Sequence, residues 1–319
     1  MSTIQKAMEN LQAKEGNQTE KQQEDAREQG LFSEEECEGD LAPSSQTPVQ
    51  NPPQTKVDSP PKTTPKIQEQ NDQKKPIIEL NLNLMAQKGF ITSNSENRAI
   101  SEQYRAIKRK LLNNAFGPLA SSLNRPNLII VTSSNPNEGK TFSSINLALS
   151  IALEKDKTVL LVDSDVLKPS LCKELDIPDQ PGIMEYLSGD VAEAADIISS
   201  TNIDNLKFIS SGEPHHLSTE LLASARMTKL VEELATRYPD RVVIFDAPPL
   251  LGVNETHIMA NLVGQAVVVV EEGKTKVNDV NNAVAQLDPD LAIGFVVNKA
   301  TQSLTGGYGY GYGYGYGSK

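Results

Sequence analysis

Gly139-Lys140-Thr141 stands between an apolar run, Leu128–Ser133 (LIIVTS), and a helical stretch that begins at Lys140. A glycine, a lysine and a hydroxyl residue in that order, after the loop Ser134-Asn135-Pro136-Asn137-Glu138, make a phosphate-binding pattern. In such a loop, backbone N–H groups and a helix start face a polyphosphate. The glycine permits close approach, the lysine ammonium reaches the outer phosphates and the hydroxyl binds Mg²⁺. Asn137, Glu138, Gly139, Lys140, Thr141 and Phe142 are therefore the candidate nucleotide-binding residues. The first glycine of G-x-x-x-x-G-K-[ST] is replaced by Ser134, so the reading rests on Gly139-Lys140-Thr141 and on the strand and helix flanking it.

Two further apolar runs end in carboxylates. Thr158–Asp163 (TVLLVD) is followed by Ser164 and Asp165, and Arg241–Asp246 (RVVIFD) by Ala247-Pro248-Pro249. Strand C-termini are where an open α/β sheet binds ligands. A carboxylate there can hold Mg²⁺, directly or through water, or take a proton from a hydroxyl nucleophile. Thr141, Asp163 and Asp246 are the candidate metal ligands, and Lys140, Asp163 and Asp165 the candidate catalytic groups.

The elements that must position these residues follow from the pattern of the chain. Leu206–Ser210, Gln265–Val270 and Leu291–Asn298 add three more apolar runs, which are nearly continuous rather than alternating. Strands of that kind are covered on both faces, as in a parallel sheet. Helical stretches at Lys140–Glu154, Ser218–Tyr238 and Val277–Leu287 separate them. Strand–helix alternation predicts an α/β fold with a doubly wound, mostly parallel sheet over residues 77–305. Ser101–Asn114 reads as an amphipathic helix leading into the first strand, within a helical segment 96–116, with Ser101 as its N-cap.

Composition sets the limits. Of the 319 residues, 30 are Lys or Arg and 42 Asp or Glu, a formal charge of -12. That balance argues against a general nucleic-acid binder. Two distant cysteines, Cys37 and Cys172, exclude a disulfide framework. No apolar run reaches the roughly 18–20 residues of a membrane span, and Met1–Glu20 holds no apolar signal core. The expectation is a cytoplasmic chain. Residues 1–76 hold eight of the 19 prolines and one aromatic residue, Phe32, and read as a disordered polar tail. Residues 306–319 form a low-complexity Gly-Tyr tail carrying Tyr308, Tyr310, Tyr312, Tyr314 and Tyr316. Composition leaves open whether that tail is a sticky edge or a set of phenol substrates.

The combination resembles the bacterial tyrosine kinases, the P-loop family that controls exopolysaccharide and capsule synthesis. It is most similar to tyrosine autokinases of exopolysaccharide loci associated with exosortases. The features carrying the likeness are the phosphate loop with Ser133-Ser134 before it, the D-x-D at Asp163–Asp165, the D-x-P-P at Asp246–Pro249 and the tyrosine cluster. The likeness implies a P-loop NTPase fold of the ParA/MinD type and an ATP- and Mg²⁺-dependent autokinase. Its phosphoacceptors would be Tyr308, Tyr310, Tyr312, Tyr314 and Tyr316 of neighbouring subunits. It also implies that Asn298 reads the adenine base, and that Glu102, Arg105 and Lys108 form an oligomerisation motif closing a homo-oligomeric ring. The implied partners are a membrane chain-length-determinant (Wzz-like) activator, which brings the kinase to the inner face of the cell membrane, and a phosphotyrosine phosphatase. Where the family has an arginine two places after its second aspartate, this chain has Leu167 and then Lys168. The rival readings are a ParA/MinD-type partitioning ATPase, whose signature lysine position is Asn135 here, and a non-catalytic ATP-binding adaptor.

Overall fold

A computed structural model of the chain describes residues 77–92, 98–118 and 120–301. The expectations for 1–76 and for the Gly-Tyr tail lie outside the described residues. All six apolar runs form strands, joined by a two-residue seventh. The strands are β1 (Leu128–Ser133), β2 (Thr158–Asp163), β3 (Ser199–Ser200), β4 (Leu206–Ile209), β5 (Arg241–Asp246), β6 (Gln265–Glu271) and β7 (Ala292–Asn298). They make one sheet in the order β3-β4-β2-β5-β1-β6-β7. Every pairing is parallel except that of β3 with β4.

The apolar runs are continuous because each strand feeds two cores. Leu128, Ile130, Val243, Phe245 and Val268 enter one, with the helices Ile183–Ser188, Ala225–Thr236 and Asn254–Ala260. Ile129, Val131, Val242, Ile244 and Val267 enter the other, under the helices Arg98–Phe116 and Lys140–Ala152. Side chains alternate across a strand, so both residue parities must be apolar when both faces are covered. Phe245 is fully buried one residue before Asp246. Phe245→Ala should lower the unfolding free energy by about 3–5 kcal/mol in chemical denaturation. A loss under about 1 kcal/mol would show that the ring is not held in a close-packed interior.

Four helix expectations need correction. The stretch Ser218–Tyr238 is two helices, Ser218–Leu222 and Ala225–Thr236. The break comes at Ser224, whose extended backbone lets its hydroxyl accept from Met227 N and cap the second helix. The first long helix runs from Arg98 to Phe116, so Ser101 lies inside it and is not its N-cap. Lys140–Glu154 ends as a helix at Ala152, and Val277–Leu287 at Val284. Several short helices went unread, among them Leu82–Gln87 and Leu171–Leu175; at five or six residues they show no helical period.

Candidate active site

The strand order places the site. β1 lies between β5 and β6, where the chain switches from building one side of the sheet to building the other, and ligands bind at the strand C-termini beside such a point. The phosphate loop leaves β1 there. Asp163 of β2 and Asp246 of β5 are direct register partners, so two carboxylates reach the same level on adjacent strands. Both are fully buried. No sequence periodicity reveals that register, because it depends on how β2 and β5 pair.

Around the loop these groups converge. The Lys140 ammonium lies 2.8 Å from Asp165 Oδ2 and 3.9 Å from Asp246 Oδ2. Burial works against the charged lysine, but Asp246 and Asp165 outweigh it and hold the pKa above its ordinary value. The Thr141 hydroxyl donates to Asp246 Oδ2 at 2.7 Å and lies 3.1 Å from the Ser170 hydroxyl. Ser144 donates to the other oxygen, Oδ1, at 2.9 Å. Burial pushes the Asp246 carboxyl up, against the pull of Lys140. Ser144 and Ser170 escaped the sequence reading; Ser144, one turn after Lys140 on the sheet-facing side, carried the only available signal.

The two members of the D-x-D divide their work. Asp163 is turned inward: its Oδ1 accepts from Asp165 N at 3.2 Å, and its Oδ2 from Ser170 N at 3.3 Å and Leu171 N at 3.1 Å. It thereby holds the start of the helix Leu171–Leu175. Burial, then the Asp246 charge, pushes its carboxyl up to about 7. Asp165 is the member that lines the cleft. Its Oδ1 accepts from Lys168 N at 3.0 Å, leaving Oδ2 on Lys140.

Glu138 and Asn298 brace the loop. The Glu138 carboxylate is buried; it accepts from Asn135 N at 2.9 Å and from the Thr275 hydroxyl, so Glu138 can offer a ligand only its backbone. Asn298 Nδ2 donates to Glu138 O at 2.9 Å, and the Lys299 ammonium donates to Asn137 O at 2.7 Å. Asn298 thus lies against the loop. Gly139 has φ +95°, and a Cβ there would sit 1.9 Å from Asn298 Nδ2. Gly139→Ala should therefore weaken nucleotide binding about 10–100-fold, from left-handed strain and this clash together. Titration calorimetry checks it, with unchanged circular dichroism as the control.

In front of the loop opens a cavity of about 760 Å³, lined by Asn137, Lys140, Thr141, Phe142, Asp165 and Leu167 among others. Phe142 stacks on Phe90 at 5.4 Å between ring centroids, on the cavity wall. Leu167 is 51% exposed at this cavity, where the resembled family has its arginine. The first-turn N–H groups of the helix Lys140–Ala152 lack intrahelical acceptors. Together with Lys140, the Thr141 hydroxyl and the Asp246 carboxylate, they fit a Mg²⁺-bound nucleoside polyphosphate. Thr141 would ligate the metal and Asp246 support it.

The predicted oligomerisation trio is split. Glu102 and Arg105 pair with each other on the exposed side of the helix Arg98–Phe116. Lys108 is buried instead: its ammonium donates to Ser150 O at 2.6 Å and pairs with Glu154 at 2.7 Å. The spacing i, i+3, i+6 carries the third residue around the helix, onto the C-terminal end of the phosphate-loop helix. That corrects the expectation of one shared contact face; Lys108 is buried and bonded within its own chain.

Strand, phosphate loop and helix at the switch point of a mostly parallel sheet define a P-loop NTPase fold. A family model described as an AAA domain matches residues 127–282. The tyrosine-protein kinase YwqD of Bacillus subtilis is 31% identical over 176 residues, 55% of this chain and 70% of that protein. The tyrosine-protein kinase ptk of Acinetobacter johnsonii is 31% identical over 237 residues, 72% of this chain. This chain spans only 31% of that relative's length. Among solved structures, the kinase domain of Escherichia coli tyrosine kinase ETK is 26% identical with a TM-score of 0.61, covering 73% of this chain and 86% of that one. The chain belongs to the bacterial tyrosine-protein kinase family.

Proposed function

We propose that this chain is an ATP- and Mg²⁺-dependent protein-tyrosine autokinase regulating exopolysaccharide synthesis or export. The observation that carries the reading is Lys140 set between Asp165 and Asp246 with the Thr141 hydroxyl beside them, in an open cleft at the strand ends. Bound Mg²⁺–ATP supplies the phosphoryl group and part of the charge neutralisation. The chain supplies positioning and electrostatics, which phosphoryl transfer chiefly requires. Lys140 stabilises charge that develops on the phosphates. Asp165, the carboxylate lining the cleft, orients the incoming phenol and takes its proton. Asp163 fixes the segment carrying Asp165 and Ser170. Asn298, packed beside Gly139, bounds the nucleotide site on the β7 side and contacts the base.

The acceptors are Tyr308, Tyr310, Tyr312, Tyr314 and Tyr316, taken from a neighbouring subunit. β7 is the last strand before the tail, whereas Asp165 follows β2. Four strand spacings, about 19 Å, separate those strands, with the nucleotide cleft between them. A leash of about ten residues typically spans about 15–20 Å, long enough to reach the cleft of a subunit held alongside. Glu102 and Arg105, exposed on the first long helix, offer the contact that sets subunits side by side in a ring. No helix among the described residues is long and apolar enough to cross a membrane. We further infer that a chain-length-determinant (Wzz-like) membrane protein recruits and activates the kinase, and that a phosphotyrosine phosphatase reverses it.

Purified protein with γ-labelled ATP and Mg²⁺ tests this reading. Label on tyrosine, raised by a cytosolic fragment of the membrane protein, supports it. Free phosphate with no labelled protein would instead indicate a partitioning-type ATPase, and binding without turnover an adaptor.

A further inference from the structure

β7 is the edge of the sheet, and among the described residues no strand pairs with its outer side. Its sequence, AIGFVVN, holds neither charge nor proline, two features by which sheet edges usually repel other chains. Phe295 and Val297 point to one face and are 52% and 59% exposed. Ile293, of the same parity, packs onto the core on that face, and Val296 faces the opposite one. An apolar, uncharged strip thus lies open along the last strand.

The chain beyond this strand has the matching period. Gly307–Gly317 alternates glycine with tyrosine and carries no charge. A two-residue alternation gives a strand one bare face and one filled face. We propose that this segment pairs antiparallel with the outer edge of β7 in its own chain, as an eighth strand. Its tyrosine rings then lie over Phe295 and Val297. The register sets Tyr308 opposite Val297, Tyr310 opposite Phe295 and Tyr312 opposite Ile293. Aromatic–aromatic and aromatic–β-branched cross-strand pairs of this kind are favourable. A one-residue slip would turn every ring to the other face.

The connection is long enough. Glu272 accepts from Thr301 N at 2.7 Å and from its hydroxyl at 3.1 Å, so the chain leaves over the end of β6. Six residues, 302–307, reach up to about 20 Å. The outer edge of β7 lies about two strand spacings from β6, roughly 10 Å. So short a tether gives the chain's own tail a high effective concentration over a second copy's. Docking would hold Tyr308, Tyr310 and Tyr312 away from the cleft until the tail detaches. Phosphorylation adds about -1.5 to -2 charge per ring, which an apolar face does not accept, so a modified tail stays off. That consequence rests on the kinase reading; the pairing itself does not.

Amide hydrogen exchange on the full chain, treated with a tyrosine phosphatase, tests the pairing without any catalysis. Amides in 307–313 should exchange at least about tenfold more slowly than in a free peptide of the same sequence. Phe295→Lys should abolish that protection; Phe295 is half exposed, so the fold survives the change. Tyr310→Ser, which leaves the folded part untouched, should weaken the protection too. Tail amides exchanging at the free-peptide rate would overturn the proposal, as would protection that persists in Phe295→Lys. Protection that vanishes on dilution would assign the strip to a second copy and overturn the own-chain pairing.

Discussion

Lys140→Met protein incubated with ATP and Mg²⁺ should carry no phosphotyrosine above about a hundredth to a thousandth of the wild-type level, the usual cost of losing one electrostatic donor aimed at the transition state. The ammonium is the only cation within ion-pair distance of Asp165 or Asp246 among the described residues. Methionine fills much the same volume without the charge. Its removal also leaves the buried Asp246 with only the Thr141 and Ser144 hydroxyls to stabilise its charge. The Asp246 carboxyl, already raised by burial, would rise further. A raised carboxyl binds more protons in the folded state than in the unfolded one. The variant's stability deficit should therefore grow as pH rises from mildly acidic to mildly alkaline. Immunoblotting and thermal melts at two pH values read both effects. Undiminished phosphotyrosine would remove Lys140 from the chemistry.

Deleting residues 306–319 should abolish most phosphotyrosine while leaving nucleotide affinity within about twofold of wild type, a shift under 0.5 kcal/mol. The deleted segment holds five of the eight tyrosines. Tyr104 and Tyr186 are buried, and Tyr238 packs against the Arg241 guanidinium at the start of β5, the strand end opposite Asp246, so none replaces the tail as acceptor. The nucleotide groups all lie between Asn137 and Asn298, and the deletion spares them. Mass spectrometry locates the phosphates and calorimetry measures the binding. Phosphotyrosine that persists at the wild-type level would place the acceptors elsewhere.

The sequence already disclosed the parts whose signal is local. Continuous apolar runs located β1, β2 and β5 to the residue, since a strand covered on both faces shows in its own composition. Gly139-Lys140-Thr141 and the three aspartates were legible for the same reason. What stayed hidden depends on the meeting of distant segments. Pairing of β2 with β5 puts Asp163 opposite Asp246, and no pattern in either strand reveals it. That Asp163 turns inward to hold Ser170 and Leu171, leaving Asp165 in the cleft, follows from how the loop after β2 closes. Lys108 misled because helical spacing gives relative angles but not which face meets the phosphate-loop helix. The break at Ser224 was concealed because residues either side of it continue a helical pattern.

Transfer of phosphate from this site to the Gly-Tyr tail of a neighbouring subunit is tested most directly by mixing two chains. One is tail-intact and carries Lys140→Met; the other has an unaltered site and lacks residues 306–319. Neither alone should yield phosphotyrosine on the tail. Mixed with ATP and Mg²⁺, the Lys140→Met chain should become phosphorylated at Tyr308 to Tyr316, as read by mass spectrometry of the separated chains. If the two chains co-assemble and those tyrosines remain unmodified, while wild-type protein modifies its own, transfer between subunits is excluded.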